Sequence, residues 1–162
     1  MHLPRLTLLP LLMLTACHPG YVVETASALR VDPLRVPPHL GAICVLRPGS
    51  FGWAAAVRHY DNGHLVGVTQ GGHQFFCYPV QPGAHQLVAR TDDDTGLTLH
   101  VRPGEAQHVV VRIRLGPESL ERADPGWALR ALPDLRPVVA RTTGPDVPAL
   151  IATPVPALPA VQ

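Results

Sequence analysis

Short runs of hydrophobic and polar residues alternate along the middle of this chain with a period of two. The clearest is HVVVRIRL, residues 108–115. Val109, Val111, Ile113 and Leu115 fall on one face, and His108, Val110, Arg112 and Arg114 on the other. Successive strand side chains point to opposite faces, so the first set is expected in a core and the arginines in water. GLTLHV repeats the pattern, with Leu97, Leu99 and Val101 alternating with Thr98 and His100. Turn signals recur at Asn62-Gly63, Gly71-Gly72, Pro82-Gly83, Asp94-Thr95-Gly96 and Pro103-Gly104. Their spacing of about 8–12 residues is that of a sandwich or barrel. The pattern predicts seven strands, near 42–47, 53–61, 64–69, 73–79, 84–91, 96–101 and 106–115. The fold class expected is all-β, a small antiparallel β-sandwich over residues 41–115. Asn-Gly accepts positive φ at both central positions of a type I′ turn, so YDNGHL predicts a hairpin pairing Asp61 with His64 and Tyr60 with Leu65.

The flanks read differently. Arg5 precedes an almost wholly apolar run, Leu6 to Leu14, and the small residues Thr15 and Ala16 follow. That is the order of a secretory signal, and the run is too short to span about 30 Å of hydrocarbon. Leu14-Thr15-Ala16-Cys17 resembles the lipobox of bacterial lipoproteins. The resemblance implies removal of residues 1–16 and a diacylglycerol on Cys17, with acylation of the new amine. Two acyl chains anchor stably where one is marginal. His18 stands where Asp favours inner-membrane retention in well-studied bacteria, so the resemblance leans to the outer membrane, facing the periplasm. Residues 17–40, with Pro33, Pro37 and Pro38, then read as a tether. Residues 116–144 read as a partly ordered extension. PESLERADPGWALRAL is expected to hold a short helix interrupted at Pro125-Gly126, and RPVVARTTG a further strand. Residues 145–162 read as an extended Pro-rich tail.

Composition narrows the partners. The chain has 162 residues, 46% hydrophobic and 15% charged, with a formal net charge of +1. All 13 basic residues are Arg. Losing Arg5 with the leader leaves 12 Arg against 12 acidic residues. No basic cluster exists, which argues against nucleic acid as a partner. Attraction to anionic head groups adds little, so the expected membrane contact is the lipid. With Cys17 lipidated, Cys44 and Cys77 remain. An even pair in an oxidising compartment invites a disulfide; the other arrangement is two buried free thiols.

The strand AICVLRP, the hairpin VRHYDNGHLVG, the segment QFFCY and the turn-and-strand QPGAHQL resemble a family of bacterial lipoproteins. These carry a small domain of unknown function, related in shape to transthyretin-like and carboxypeptidase-regulatory sandwiches. The likeness covers Gly41 to about Arg114. It implies an all-β sandwich on a lipid anchor and brings no catalytic residues. The stretch after Val109 departs from the aromatic close usual for the last strand of such domains.

No nucleophile elbow, Walker loop, HExxH, EF-hand loop or CxxC is present. Asp92-Asp93-Asp94-Thr95-Gly96 lacks the alternating ligands of an EF-hand and reads as a solvated turn. Histidine is the anomaly, at nine residues. His59, Asp61 and His64 are expected on one face of the Asn-Gly hairpin, where imidazole and carboxylate are competent zinc or copper ligands. His85, after the Pro-Gly turn, is expected to be a structural hydrogen-bonding residue. The functional expectation is a non-enzymatic, lipid-anchored envelope protein that presents an interaction surface to an envelope protein or glycan. It needs no cofactor beyond the covalent lipid. The alternative is a periplasmic metal-binding protein using His59, Asp61 and His64.

Overall fold

Ten strands build two facing sheets in a computed structural model that describes residues 21–142, except Ala28 and Leu115. The signal segment, Cys17 and the Pro-rich tail lie outside the described residues. In chain order the strands are β1 (Tyr21–Thr25), β2 (Gly41–Arg47), β3 (Ala56–Asp61), β4 (His64–Gln70), β5 (Gln74–Val80), β6 (Gly83–Arg90), β7 (Asp94–Val101), β8 (Ala106–Arg114), β9 (Gly116–Arg122) and β10 (Arg136–Thr142). A helix, α1 (Pro125–Ala131), and a 3-10 turn, Leu132–Asp134, lie between β9 and β10. One sheet runs β1-β10-β5-β2-β8-β9 and the other β4-β3-β6-β7. The all-β sandwich expected from the alternation is present.

Alternation decides the inner faces. Ile43, Val45, Val109 and Val111 of the larger sheet pack with Val57, Leu87, Leu99 and Val101 of the smaller one in a single buried cluster. Asn62 and Gly63 take φ of 49° and 81°, and the hairpin pairs Asp61 with His64 and Tyr60 with Leu65, as the dipeptide predicts. On β4, Gly67 lies directly beneath the Phe76 ring, where a Cβ would sit 2.5 Å from it. Its missing side chain lets the two sheets close at that point.

Three features depart from the sequence expectation. First, ten strands replace seven, because the flanks join the sandwich. β1, from the expected tether, pairs antiparallel with β10, and β9 pairs with β8. Second, the larger sheet is mixed. β2 pairs antiparallel with β5 but parallel with β8, and β10 meets β5 in parallel at Arg136 and Pro137. The chain visits the second sheet twice after β2, returning first as β5, antiparallel on one side of β2, and then as β8, parallel on the other, which no local pattern encodes. Third, the outer face of β8 is not solvated along its length. His108 and Val110 are buried there, while Arg112 and Arg114 are exposed. Ala42, Cys44, Leu46, Phe75, Cys77 and Val110 form a second apolar cluster on this face. Ala128 of α1 and Val31 and Leu135 of the connecting segments cover it. Asp124 caps α1 by accepting from Trp127 N at 2.8 Å, and Pro125 opens its first turn.

Cys44 and Cys77 face each other directly in the β2–β5 register, with sulfurs at bonding distance, 2.02 Å. They lie within the second cluster, on the outer face of the larger sheet.

The register also fixes the two ends of the sandwich. Arg47, Gln74 and Arg136 share one end. Gly41 and Val80 share the other. β10 runs parallel to β5, and β1 pairs Tyr21 with Thr142, so the described chain begins at the Gly41 end.

Candidate functional site

His59, Asp61 and His64 do not come together. Period two puts His59 and Asp61 on the inner face of β3, where both are buried, whereas His64 is exposed at the hairpin tip. His59 Nε2 lies 3.1 Å from Thr69 Oγ1, and its ring packs 5.4 Å from that of Phe76. Burial, reinforced by the Arg47 charge, pushes the His59 pKa down to about 3, so the imidazole is neutral at physiological pH. Among the described residues no three His, Cys, Asp or Glu side chains form a metal-holding group. Folding turns the expected ligand face into two separate interior contacts.

Asp61 instead meets His85 of β6. His85 Nδ1 lies 2.8 Å from Asp61 Oδ2, and its Nε2 lies 2.8 Å from the Gln81 carbonyl. Both ring nitrogens face acceptors, and a neutral imidazole can donate to only one. The arrangement selects the imidazolium. The Asp61 hydrogen bond, partly opposed by burial, raises the His85 pKa above its usual value. The Tyr78 hydroxyl donates to Asp61 across the two sheets at 3.3 Å. Burial, with the neighbouring Asp61 charge, holds the Tyr78 hydroxyl protonated. Charge, donors and acceptors are matched here, and among the described residues the partners of the His85 ring are Asp61 and the Gln81 carbonyl. The cluster ties β3, β5 and β6 together, in keeping with the structural role expected of His85.

The opposite end carries the exposed aromatic surface. Residues 48–55, whose last positions were expected to start a strand, form turns between β2 and β3. Phe51 is 53% exposed and Trp53 73%. An aromatic side chain left in water gives up a large burial gain, and this one loop holds two of them. The loop beneath is held firmly. Arg47 is 1% exposed, and its guanidinium donates to the carbonyls of Gly52 at 2.7 Å, Ala55 at 2.9 Å and Thr69 at 3.1 Å. Its planar fork satisfies several loop carbonyls from one buried point. Gly52, at φ 65°, lies against Ile113, where an added Cβ would come within 2.8 Å. Gln74 steadies the adjoining β4–β5 turn through the Gln70 backbone, accepting from its N–H at 2.9 Å and donating to its carbonyl. Phe51, Arg112, Ile113 and Arg114 line a depression of about 190 Å³ beside the loop.

Sequence reasoning missed Phe51, Trp53 and the Arg47 brace. The legible signal was Gly49 and Gly52 interrupting the run before Ala54, which argues against a strand there. What braces the loop depends on Thr69, 22 residues away. Comparison with family models, curated proteins and solved structures finds no match to this chain.

Proposed function

We propose that this chain is a lipid-anchored protein of the bacterial envelope, a non-catalytic β-sandwich that displays the Phe51–Trp53 loop to another envelope component. The observation that carries the reading is the exposed aromatic pair on a loop braced by the buried Arg47. Its position supports the same reading. Tyr21 lies at the Gly41 end of the sheets, and the loop follows Arg47 at the other. Cys17 precedes Tyr21 by four residues, a reach of about 14 Å at most. β2 alone spans roughly 20 Å between the two ends. A lipid on Cys17 therefore leaves the aromatic loop at the end away from the anchoring membrane, where it meets components beyond that surface.

The test is site-specific photo-crosslinking in intact cells. A crosslinker replacing Trp53 is expected to capture an envelope component, and one replacing the exposed Thr98 of the smaller sheet is expected to capture none above background. Equal capture from both positions, or none from position 53, overturns this assignment of the surface.

A further inference from the structure

Resting on that reading, we infer that the ligand of the loop surface is a carboxylate-bearing glycan. Three observations converge. The aromatic side chains present open faces: Trp53 and Phe51 are the two most exposed aromatic residues at this end. The C–H faces of a sugar ring stack on such rings. The adjoining depression is cationic, since the exposed Arg112 and Arg114 line it with Phe51 and Ile113. A guanidinium matches a carboxylate with two parallel N–H···O bonds. Arg112 Nε stands 4.0 Å from Glu121 Oε2, a loose and exposed pair that a closer carboxylate would displace.

Size selects among anionic ligands. At about 190 Å³ the depression is smaller than a drug-sized pocket, and it has room for one sugar ring or one acidic substituent. A helix or an added strand needs a longer groove or an open sheet edge, and the loop offers neither. A glycan reads such a point contact through repetition along its own length, because many weak sites on one polymer raise avidity. The rigid brace serves this use: with Gly52, Ala55 and Thr69 carbonyls tied to Arg47, the aromatic faces are ordered before binding, and less entropy is lost on contact.

The experiment is cosedimentation of the full chain, purified in detergent micelles, with cell-wall sacculi, whose sugar chains bear short peptides with free carboxylates. Chitin serves as the neutral glycan. The chain is expected to pellet with sacculi, at least about tenfold less with chitin, and to be released by salt. Trp53→Ala, and separately Arg112→Gln with Arg114→Gln, are expected to lower pelleting about tenfold. All three positions are exposed, so thermal unfolding of the variants should match the parent and exclude misfolding as the cause. Sacculus binding unchanged by both variants, or equal pelleting with chitin, overturns the inference. A protein crosslinked at position 53 without glycan binding removes the glycan and leaves the interaction surface standing.

Discussion

His85 shows how one side chain sets a pH dependence. Its folded pKa is raised by Asp61, so between the unfolded value of about 6.5 and the folded value the native state holds a proton that the unfolded state lacks. The stabilisation is complete below about pH 6.5 and is lost as pH rises through the folded value. His59 acts in the opposite sense. Its folded value of about 3 means the unfolded chain binds the extra proton, so stability falls as pH drops from about 6.5 towards 3. The buried His108, also lowered by burial, adds to the acid side. Denaturant titration should therefore place maximum stability near pH 6.5, with each of these two histidines adding a slope of up to about 1.4 kcal/mol per pH unit on the acid side. His85→Gln should cost about 1.5–3 kcal/mol at pH 6 and remove most of the alkaline decline. An alkaline limb unchanged in that variant would show that other groups produce it.

At the scale of elements, the centre of the larger sheet is covered on both faces, and the cysteine pair lies beneath the cover of the outer one. Cys44 and Cys77 are 33 residues apart. Closing a loop of that length stabilises by roughly 3.5–4 kcal/mol in the chain-entropy model. Peptide mapping without reductant should recover the Cys44 and Cys77 peptides joined, and Cys44→Ala with Cys77→Ala should lower unfolding free energy by up to that amount. Two alkylated thiols in the folded protein would refute the bond. The cysteines' pairing in an even count was legible from the sequence; their direct opposition was not, because it depends on the β2–β5 register. The same limit explains the metal expectation. His59, Asp61 and His64 do flank one hairpin, but Thr69, Phe76 and His85 arrive from β4, β5 and β6 and claim the first two side chains.

For the whole molecule, the arrangement of ends gives the proposal its geometry. The described chain starts at one end of the sheets, and the braced aromatic loop leaves the other. If Cys17 carries the anchor, Cys17→Ser should abolish incorporation of labelled acyl chains and release the chain from the membrane pellet. Since mature charge is formally balanced, with 12 Arg against 12 acidic residues, no electrostatic hold should replace the lipid. Continued membrane association of the unlabelled variant would point to a different attachment.

The sequence alone determined the local features: the inner-face alternation of β7 and β8, the Asn62-Gly63 hairpin and its register, and the all-β class. Each is legible because period-two burial and turn sterics act over a few neighbouring residues. Tertiary structure decided the rest. Whether β2 lies beside β8 in parallel, whether residues 21–25 become an edge strand, and whether α1 covers the outer face are set by contacts far apart in the chain. The aromatic loop belongs to the same group. Phe51 and Trp53 are exposed on a turn whose Gly52 and Ala55 carbonyls accept from the buried Arg47, a brace that lies outside the loop's own sequence.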